Sequence, residues 1–151
     1  MRRRGLSRMF VVQYELRPRS RSPLRRPPPR SLAGLNTHDA PPFADFWAHW
    51  REKQPLLRQL SKAGSPVNKE KSGKETAFAI LRNLAAGPAK SVQVNPEDLW
   101  GERRPHNRPG TVGGGNWRRK AKLSLEQIRS MKEITGALSE IHRLRKGRHD
   151  A

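Results

Sequence analysis

Three short apolar runs, separated by loop-like and helical segments, constrain the fold of this chain more than any other feature. They cover residues 9–16, 31–36 and 91–94. Short apolar runs of this kind predict strands, and strands that alternate with helices predict an α/β fold with a parallel sheet. Three strands cannot close a barrel, and they are too few to bury both faces of a parallel sheet. We therefore expect this chain to form part of a larger α/β domain.

Helical spacing is clearest in a group of aromatic residues after the second run. Phe43, Phe46, Trp47 and Trp50 recur at i, i+3, i+4 and i+7 behind two prolines. This pattern predicts an amphipathic helix over residues 42–53 whose aromatic side chains belong to the core. Other capping, stop and spacing signals predict helices over residues 55–63, 75–86 and 96–100 (capped by Asn95), and a C-terminal helix after the Ser124–Gln127 capping box, with a break near Gly136.

Changes in composition divide the chain into four segments. A basic lead-in covers residues 1–8, and the predicted strands and most helices occupy residues 9–100, including a basic, proline-rich loop at 17–30. An irregular closing segment follows at residues 101–122, where glycine and proline are frequent. A helix and a basic tail complete the chain at residues 123–151.

The charge balance is strongly positive, with 32 Lys and Arg against 13 Asp and Glu and a formal net charge of +19. Such a charge attracts polyanions without specifying a fold. It supports one hypothesis, a small basic nucleic-acid-binding protein that uses residues 1–30 and 143–148. No base-reading module such as the aromatic RNP pattern is present, so we expect nucleic-acid binding to be at most non-specific and sensitive to salt.

Several classes of protein are excluded by what the sequence lacks. It has no cysteine, which excludes disulfide bonds and thiolate metal sites, and its histidines show no metal-site spacing. The longest apolar stretch, residues 9–12, is far shorter than the roughly 20 residues that cross a bilayer. It is also shorter than the apolar region of about 7–15 residues in a signal peptide. We expect a cytoplasmic chain with no membrane partner, cofactor or metal.

The segment from Asn36 through Thr37 and His38 to Asp39 follows the second predicted strand. In a barrel of parallel strands, functional side chains come from the carboxyl ends of the strands. His38 and Asp39 are therefore candidate site residues. The alternative is that Thr37 or Asp39 only caps the helix that follows. A His-Asp pair alone does not decide between these interpretations.

Sequence blocks in order along nearly the whole chain resemble one enzyme family, the 4-alpha-glucanotransferases, also called amylomaltases or disproportionating enzymes. The blocks that resemble its later barrel strands are residues 9–16 (MFVVQYEL), 31–39 (SLAGLNTHD) and 41–47 (PPFADFW). Those that resemble its closing signature are residues 92–99 (VQVNPEDL), 107–111 (NRPGT) and 116–120 (NWRRK).

The resemblance implies the C-terminal part of a (β/α)8 TIM-type barrel, with about three strands and flanking helices. It implies transfer of α-1,4-glucan segments from a donor to the 4-hydroxyl of an acceptor sugar, in starch, glycogen or maltodextrin metabolism. Such retaining transfer uses a carboxylate nucleophile and a carboxylic acid/base. A third carboxylate stabilises the transition state, and by the motif this residue is Asp39, with His38 binding the same sugar.

The same resemblance implies that the other two carboxylates are missing. In the family, the nucleophile and the acid/base lie upstream of the strand that matches residues 9–16, and Glu15 does not match the acid/base motif. We expect a C-terminal fragment that is inactive alone, because a transition-state stabiliser without a nucleophile or proton donor gives no turnover. A partial barrel would also expose strand edges, which predicts aggregation or poor order in isolation.

The closing segment allows two interpretations. Trp117 could stack on bases while its basic neighbours pair with phosphates. We favour a structural role, in which Trp117 packs on the barrel and the arginines at 118 and 119 bridge carboxylates. The glycine run at 113–115 stands where relatives have an acidic bend, so it departs from the family pattern.

Overall fold

The chain forms a mixed α/β structure around a small parallel sheet. Our computed structural model describes residues 6–67, 72–112 and 115–147. Strands β1 (Arg8–Val11), β2 (Ser31–Gly34) and β3 (Ser91–Val92) pair in the order β1-β2-β3, all parallel. The predicted α/β class and the parallel sheet are confirmed. The sheet is open, so these strands form no complete barrel.

Helices follow each strand and continue to the end of the described chain. They are α1 (Val12–Glu15), α2 (Phe43–His49), α3 (Lys53–Lys62), α4 (Gly73–Ala86), α5 (Pro96–Leu99), α6 (Leu125–Ser130) and α7 (Lys132–Lys146). The predictions for the glycine run and for the basic ends concern residues that lie partly outside the described ranges, namely 113–114, 1–5 and 148–151.

The first strand is shorter than predicted. Residues 9–16 were expected to form one buried strand, but β1 ends at Val11 and the chain turns into α1. The Leu16 N–H donates to the Val12 carbonyl oxygen at 2.9 Å, which closes this turn. Val12, the first residue of α1, is fully buried. The apolar residues that predicted a strand are therefore equally compatible with a buried helical turn.

The core lies between one face of the sheet and the helices. Phe10 and Ala33, neighbours on adjacent strands, are buried against this core. Phe43 and Trp47 are fully buried, with ring centroids 6.3 Å apart, and Phe46 and Trp50 pack beside them. The aromatic cluster is thus part of the core, as predicted.

Helix α4 is the central helix of this core. It begins with a side-chain cap, since Ser72 Oγ accepts from the Glu75 N–H at 3.1 Å. On one side it packs closely against α2, because a Cβ on Gly73 would lie 2.7 Å from the Ala44 Cα. On the other side it contacts α7, whose Ile134 and Ile141 are buried.

The predicted break in the C-terminal helix lies at a different residue. Met131, which separates α6 from α7, has extended backbone angles (φ −80°, ψ 94°). Gly136 lies inside α7 without interrupting it. The prediction of a break near Gly136 was therefore wrong. The Ser124–Gln127 capping box is present as predicted.

The other face of the sheet is open. Met9, Leu32 and Ser91 are paired across the three strands and so share one face. Met9 is 53% exposed, Ser91 is exposed and Leu32 is only partly buried. Parallel sheets are normally covered on both faces, whereas within the described residues this face is only partly covered. In the part of the chain that the structure describes, no helix has the length and apolar character needed to cross a membrane.

Candidate functional site

A cavity of about 500 Å³ opens at the carboxyl ends of β2 and β3. We call it the strand-end cavity. It lies where functional side chains are found in parallel α/β folds. Its lining residues are Met9, Asn36, Thr37, His38, Asp39, Ala40, Pro42, Gln93, Asn95, Glu97, Pro105, His106 and Trp117. Both predicted site residues, His38 and Asp39, belong to this lining.

Asp39 presents a half-exposed carboxylate to the strand-end cavity. Its side chain is 54% exposed, and its Oδ1 accepts a hydrogen bond from Asn107 Nδ2 at 2.9 Å. The His38 Nε2 atom lies 3.3 Å from its Oδ2. Both carboxylate oxygens therefore have a protein neighbour, and each keeps lone-pair capacity for a further donor.

The capping alternative for this segment was wrong. The N-cap residue of α2 is Pro42, and no side chain at that position caps the helix. Instead, the Phe43 N–H donates to Asp98 Oδ1 at 3.1 Å. Thr37 Oγ1 accepts from the Asp39 N–H at 3.4 Å, within the loop itself. Neither Thr37 nor Asp39 is needed to begin the helix.

A network of amide side chains forms the floor of the strand-end cavity. Asn36 follows β2, and its Oδ1 accepts from Asn95 Nδ2, while its Nδ2 donates to Asp98 Oδ1 at 3.2 Å. The Asn95 Oδ1 accepts from Gln93 Nε2 at 3.0 Å. Asn95 is the N-cap residue of α5, as predicted, but its side chain makes no cap bond and binds Asn36 instead.

Asp98 is the buried anchor of this network. Only 2% of the residue is exposed. Burial raises the pKa of its carboxyl group to about 6, although the Phe43 N–H and the Asn36 amide act in the opposite direction. Asp98 Oδ2 is buried without a hydrogen-bond partner among the described residues. The carboxyl group therefore joins β2, α2 and α5 beneath the site without entering the cavity.

The closing segment forms one wall of the strand-end cavity. Trp117 is 63% exposed, and its ring centroid lies 5.7 Å from that of His38. The backbone N–H of Trp117 donates to the His106 carbonyl oxygen at 2.9 Å. The His106 Nε2 atom lies 3.3 Å from Glu97 Oε1. The indole of Trp117 thus faces the cavity and solvent, and its packing on the barrel of a complete enzyme stays a prediction.

Hydrogen bonds within the closing segment hold its two motifs together. The Asn116 side chain accepts from the Arg108 N–H at 3.1 Å and donates to the Thr111 carbonyl oxygen at 3.2 Å. Arg119 lies 3.6 Å from the Glu102 carboxylate and donates to the Arg104 carbonyl oxygen. Arg119 thus pairs with a carboxylate of the closing segment itself.

The cavity can receive a polar, hydroxyl-bearing ligand. Two carboxylates, from Asp39 and Glu97, supply strong acceptors, and side-chain amides supply both donors and acceptors. Trp117 adds an apolar ring face. Across residues 6–67, 72–112 and 115–147, no group of three or more metal-ligating side chains comes together.

Sequence reasoning identified His38 and Asp39 but not their partners. Asn107 is separated from Asp39 by 68 positions, and no local pattern connects the two. Glu97 and Asp98 lie inside a block that the family resemblance had marked, without a role. The resemblance of residues 92–99 to the family was therefore the sequence feature that could have pointed to these two residues.

Comparison with known proteins yields one family match. The family model for 4-alpha-glucanotransferase, glycoside hydrolase family 77, matches residues 1–125. The match includes every residue that lines the strand-end cavity. A search of curated proteins gave no match.

Proposed function

The chain belongs to the 4-alpha-glucanotransferase family, and we propose that Asp39 acts as the transition-state-stabilising carboxylate in the transfer of α-1,4-glucan segments to an acceptor sugar. One observation carries this proposal. Asp39 is the residue that the family motif indicates, and its carboxylate is half exposed in a cavity at the carboxyl ends of parallel strands.

In a retaining transfer, positive charge develops on the sugar ring as the glycosidic bond breaks. An acceptor that binds ring hydroxyls more strongly at that moment lowers the barrier, because it favours the transition state over the ground state. Asp39 is suited to this role. Asn107 fixes one carboxylate oxygen at 2.9 Å, so little rotational freedom has to be lost when the sugar binds.

His38 and Trp117 complete the sugar-binding surface in this proposal. His38 Nε2 faces the Asp39 carboxylate, which leaves the other ring nitrogen for a sugar hydroxyl. Trp117 offers a large exposed ring face beside His38, against which the apolar face of a glucose ring can lie. The proposed substrates are an α-1,4-glucan donor and a sugar acceptor. The proposed location of the protein is the cytoplasm.

The proposed architecture is the C-terminal part of a (β/α)8 barrel. The open face that carries Met9, Leu32 and Ser91 supports this assignment, because the inner face of a barrel is filled by side chains from its other strands. The nucleophile and the acid/base of the reaction would come from strands that precede β1 in the family. We therefore propose that this chain has no transfer activity by itself.

Two measurements on the isolated chain test the proposal. Release of glucose from maltotriose should be undetectable, and clear turnover would contradict the proposed inactivity. Maltotriose should nevertheless shift the indole N–H resonance of Trp117 in NMR spectra. Asp39→Asn and His38→Ala should weaken this response. Asp45→Asn and His49→Ala, which lie on α2 outside the cavity lining, should leave it unchanged.

The nucleic-acid alternative has no specific observation in its favour. Arg145, in the basic tail on which it relies, donates to the carbonyl oxygens of Ala85, Gly87 and Lys90, the last at 2.7 Å. This arginine thus connects α7 to the end of α4 and the start of β3. We do not propose nucleic-acid binding as the function.

A further inference from the structure

A second cleft, of about 760 Å³, lies between the loop at residues 17–30 and helix α3. It shares no lining residue with the strand-end cavity. We call it the basic cleft, because most of its charged lining is cationic. Its cations are Arg19, Arg21, Arg51, Lys53, Arg58 and Lys62.

The positive charge of the basic cleft is largely uncompensated. Within the described residues, Glu52 is the only acidic residue of its lining, and its carboxylate accepts a hydrogen bond from the Arg19 backbone N–H. None of the six cations forms an ion pair with a carboxylate of the described chain. Like charges held close together repel each other, so a bound anion would stabilise this arrangement.

Hydrogen bonds hold the two walls of the basic cleft together. Gln59 on α3 accepts from the Leu24 N–H at 2.9 Å and donates to the Leu24 carbonyl oxygen at 2.7 Å. Leu24 itself is buried. The loop is thus fixed to the helix on the same side that carries Arg58 and Lys62, and the cleft exists before any ligand binds.

The lining of the basic cleft favours phosphate as the ligand chemistry. Arginines recognise phosphate through several N–H groups at once, and the first turn of α3, which lines the cleft at Lys53, adds the partial positive charge of a helix start. The lining contains no aromatic residue, so it offers no stacking surface for nucleic-acid bases. We propose that the basic cleft binds a polyvalent phosphate anion, either inorganic or carried by a sugar.

Calorimetric titration of the full chain with inorganic tripolyphosphate tests this proposal. The variant Arg58→Gln/Lys62→Gln should bind about tenfold more weakly or worse, because it removes two charged phosphate donors. The control variant Arg129→Gln/Lys132→Gln removes two exposed charges from α6 and α7, outside the cleft, and should bind like the wild type. Circular dichroism establishes that both variants are folded.

A second variant pair, Arg21→Gln/Arg51→Gln, keeps the test valid if changes on α3 disturb folding, and it should also weaken binding. Glucose 6-phosphate in place of tripolyphosphate separates the two sources of phosphate, and binding of either supports the proposal. Equal losses in the cleft and control variants would overturn it, because net charge alone would then explain the affinity. Absence of binding would overturn it as well, as would tighter cleft-dependent binding of single-stranded RNA.

Discussion

Asp98 is the residue on which the geometry of the site depends most. Its buried carboxyl group accepts from the Phe43 N–H and from the Asn36 amide, and so fixes both ends of the loop that carries Asp39. Nothing in the local sequence reveals this, since Asp98 stands in the first turn of a four-residue helix. A sequence pattern predicts a cap or an exposed acid there, whereas its burial depends on residues more than 50 positions away.

Asp98→Asn should remove a pH dependence of stability. Because burial raises the folded-state pKa of Asp98 from 3.8 to about 6, the unfolded chain loses this proton at lower pH than the folded chain does. The contribution of Asp98 to the free energy of unfolding should therefore fall by up to about 3 kcal/mol as pH rises from about 4 to above 6. Asparagine keeps both hydrogen bonds to Oδ1 and carries no charge.

Urea denaturation of both proteins between these pH values measures this effect. The stability of Asp98→Asn relative to wild type should increase with pH across the window, and the histidines, common to both proteins, cancel in the difference. Glu97→Gln, which changes the neighbouring and more exposed carboxylate, should retain the slope of the wild type. A parallel pH dependence in wild type and Asp98→Asn would contradict the buried, proton-retaining state of Asp98.

Helix positions followed from the sequence more closely than strand lengths did. The aromatic spacing at 43–50 and the Gly87 stop placed α2 and the end of α4 within a few residues. The end of β1 could not be predicted in this way, because a short apolar run does not distinguish a strand from a buried helical turn. The break between α6 and α7 was predicted near Gly136 but lies at Met131, whose backbone is extended.

Two glycines in helices should respond to alanine with opposite signs. At Gly73 a Cβ would lie 2.7 Å from the Ala44 Cα, so Gly73→Ala must push α4 away from α2 and should cost about 1–3 kcal/mol. At Gly136 a Cβ meets nothing within 4 Å. Gly136→Ala should therefore stabilise α7 by up to about 1 kcal/mol. Thermal denaturation of the two variants measures both effects, and destabilisation by both changes would contradict the described packing.

On the scale of the whole molecule, residues distant in sequence assemble the candidate site. His38 and Asp39 could be identified because they follow a predicted strand and match a family motif. The position of Trp117 at the cavity could not be predicted, since it depends on how the closing segment folds back. The Trp117 backbone N–H donates to the His106 carbonyl oxygen in this fold. The open sheet could be predicted, because three strands cannot close a barrel and are too few to bury both faces of a parallel sheet.

The open sheet should make the isolated chain prone to aggregation. Met9 is exposed on β1, which is an edge strand of the sheet, and apolar side chains beside a free strand edge promote association. Met9→Gln should slow the rise of light scattering on warming. Val112→Gln is a matched control, because Val112 is fully exposed in a loop, and it should have less effect. Equal effects would show that the strand edge is not responsible.

The most direct test of the central claim is transfer activity in a chimera. Residues 9–125 of this chain would replace the matching segment of an active family member, which supplies the nucleophile and the acid/base. The chimera should release glucose from maltotriose, and Asp39→Asn should reduce its kcat by at least about 100-fold, while Asp45→Asn leaves kcat nearly unchanged. A folded chimera in which Asp39→Asn is as active as Asp45→Asn would contradict the role of Asp39.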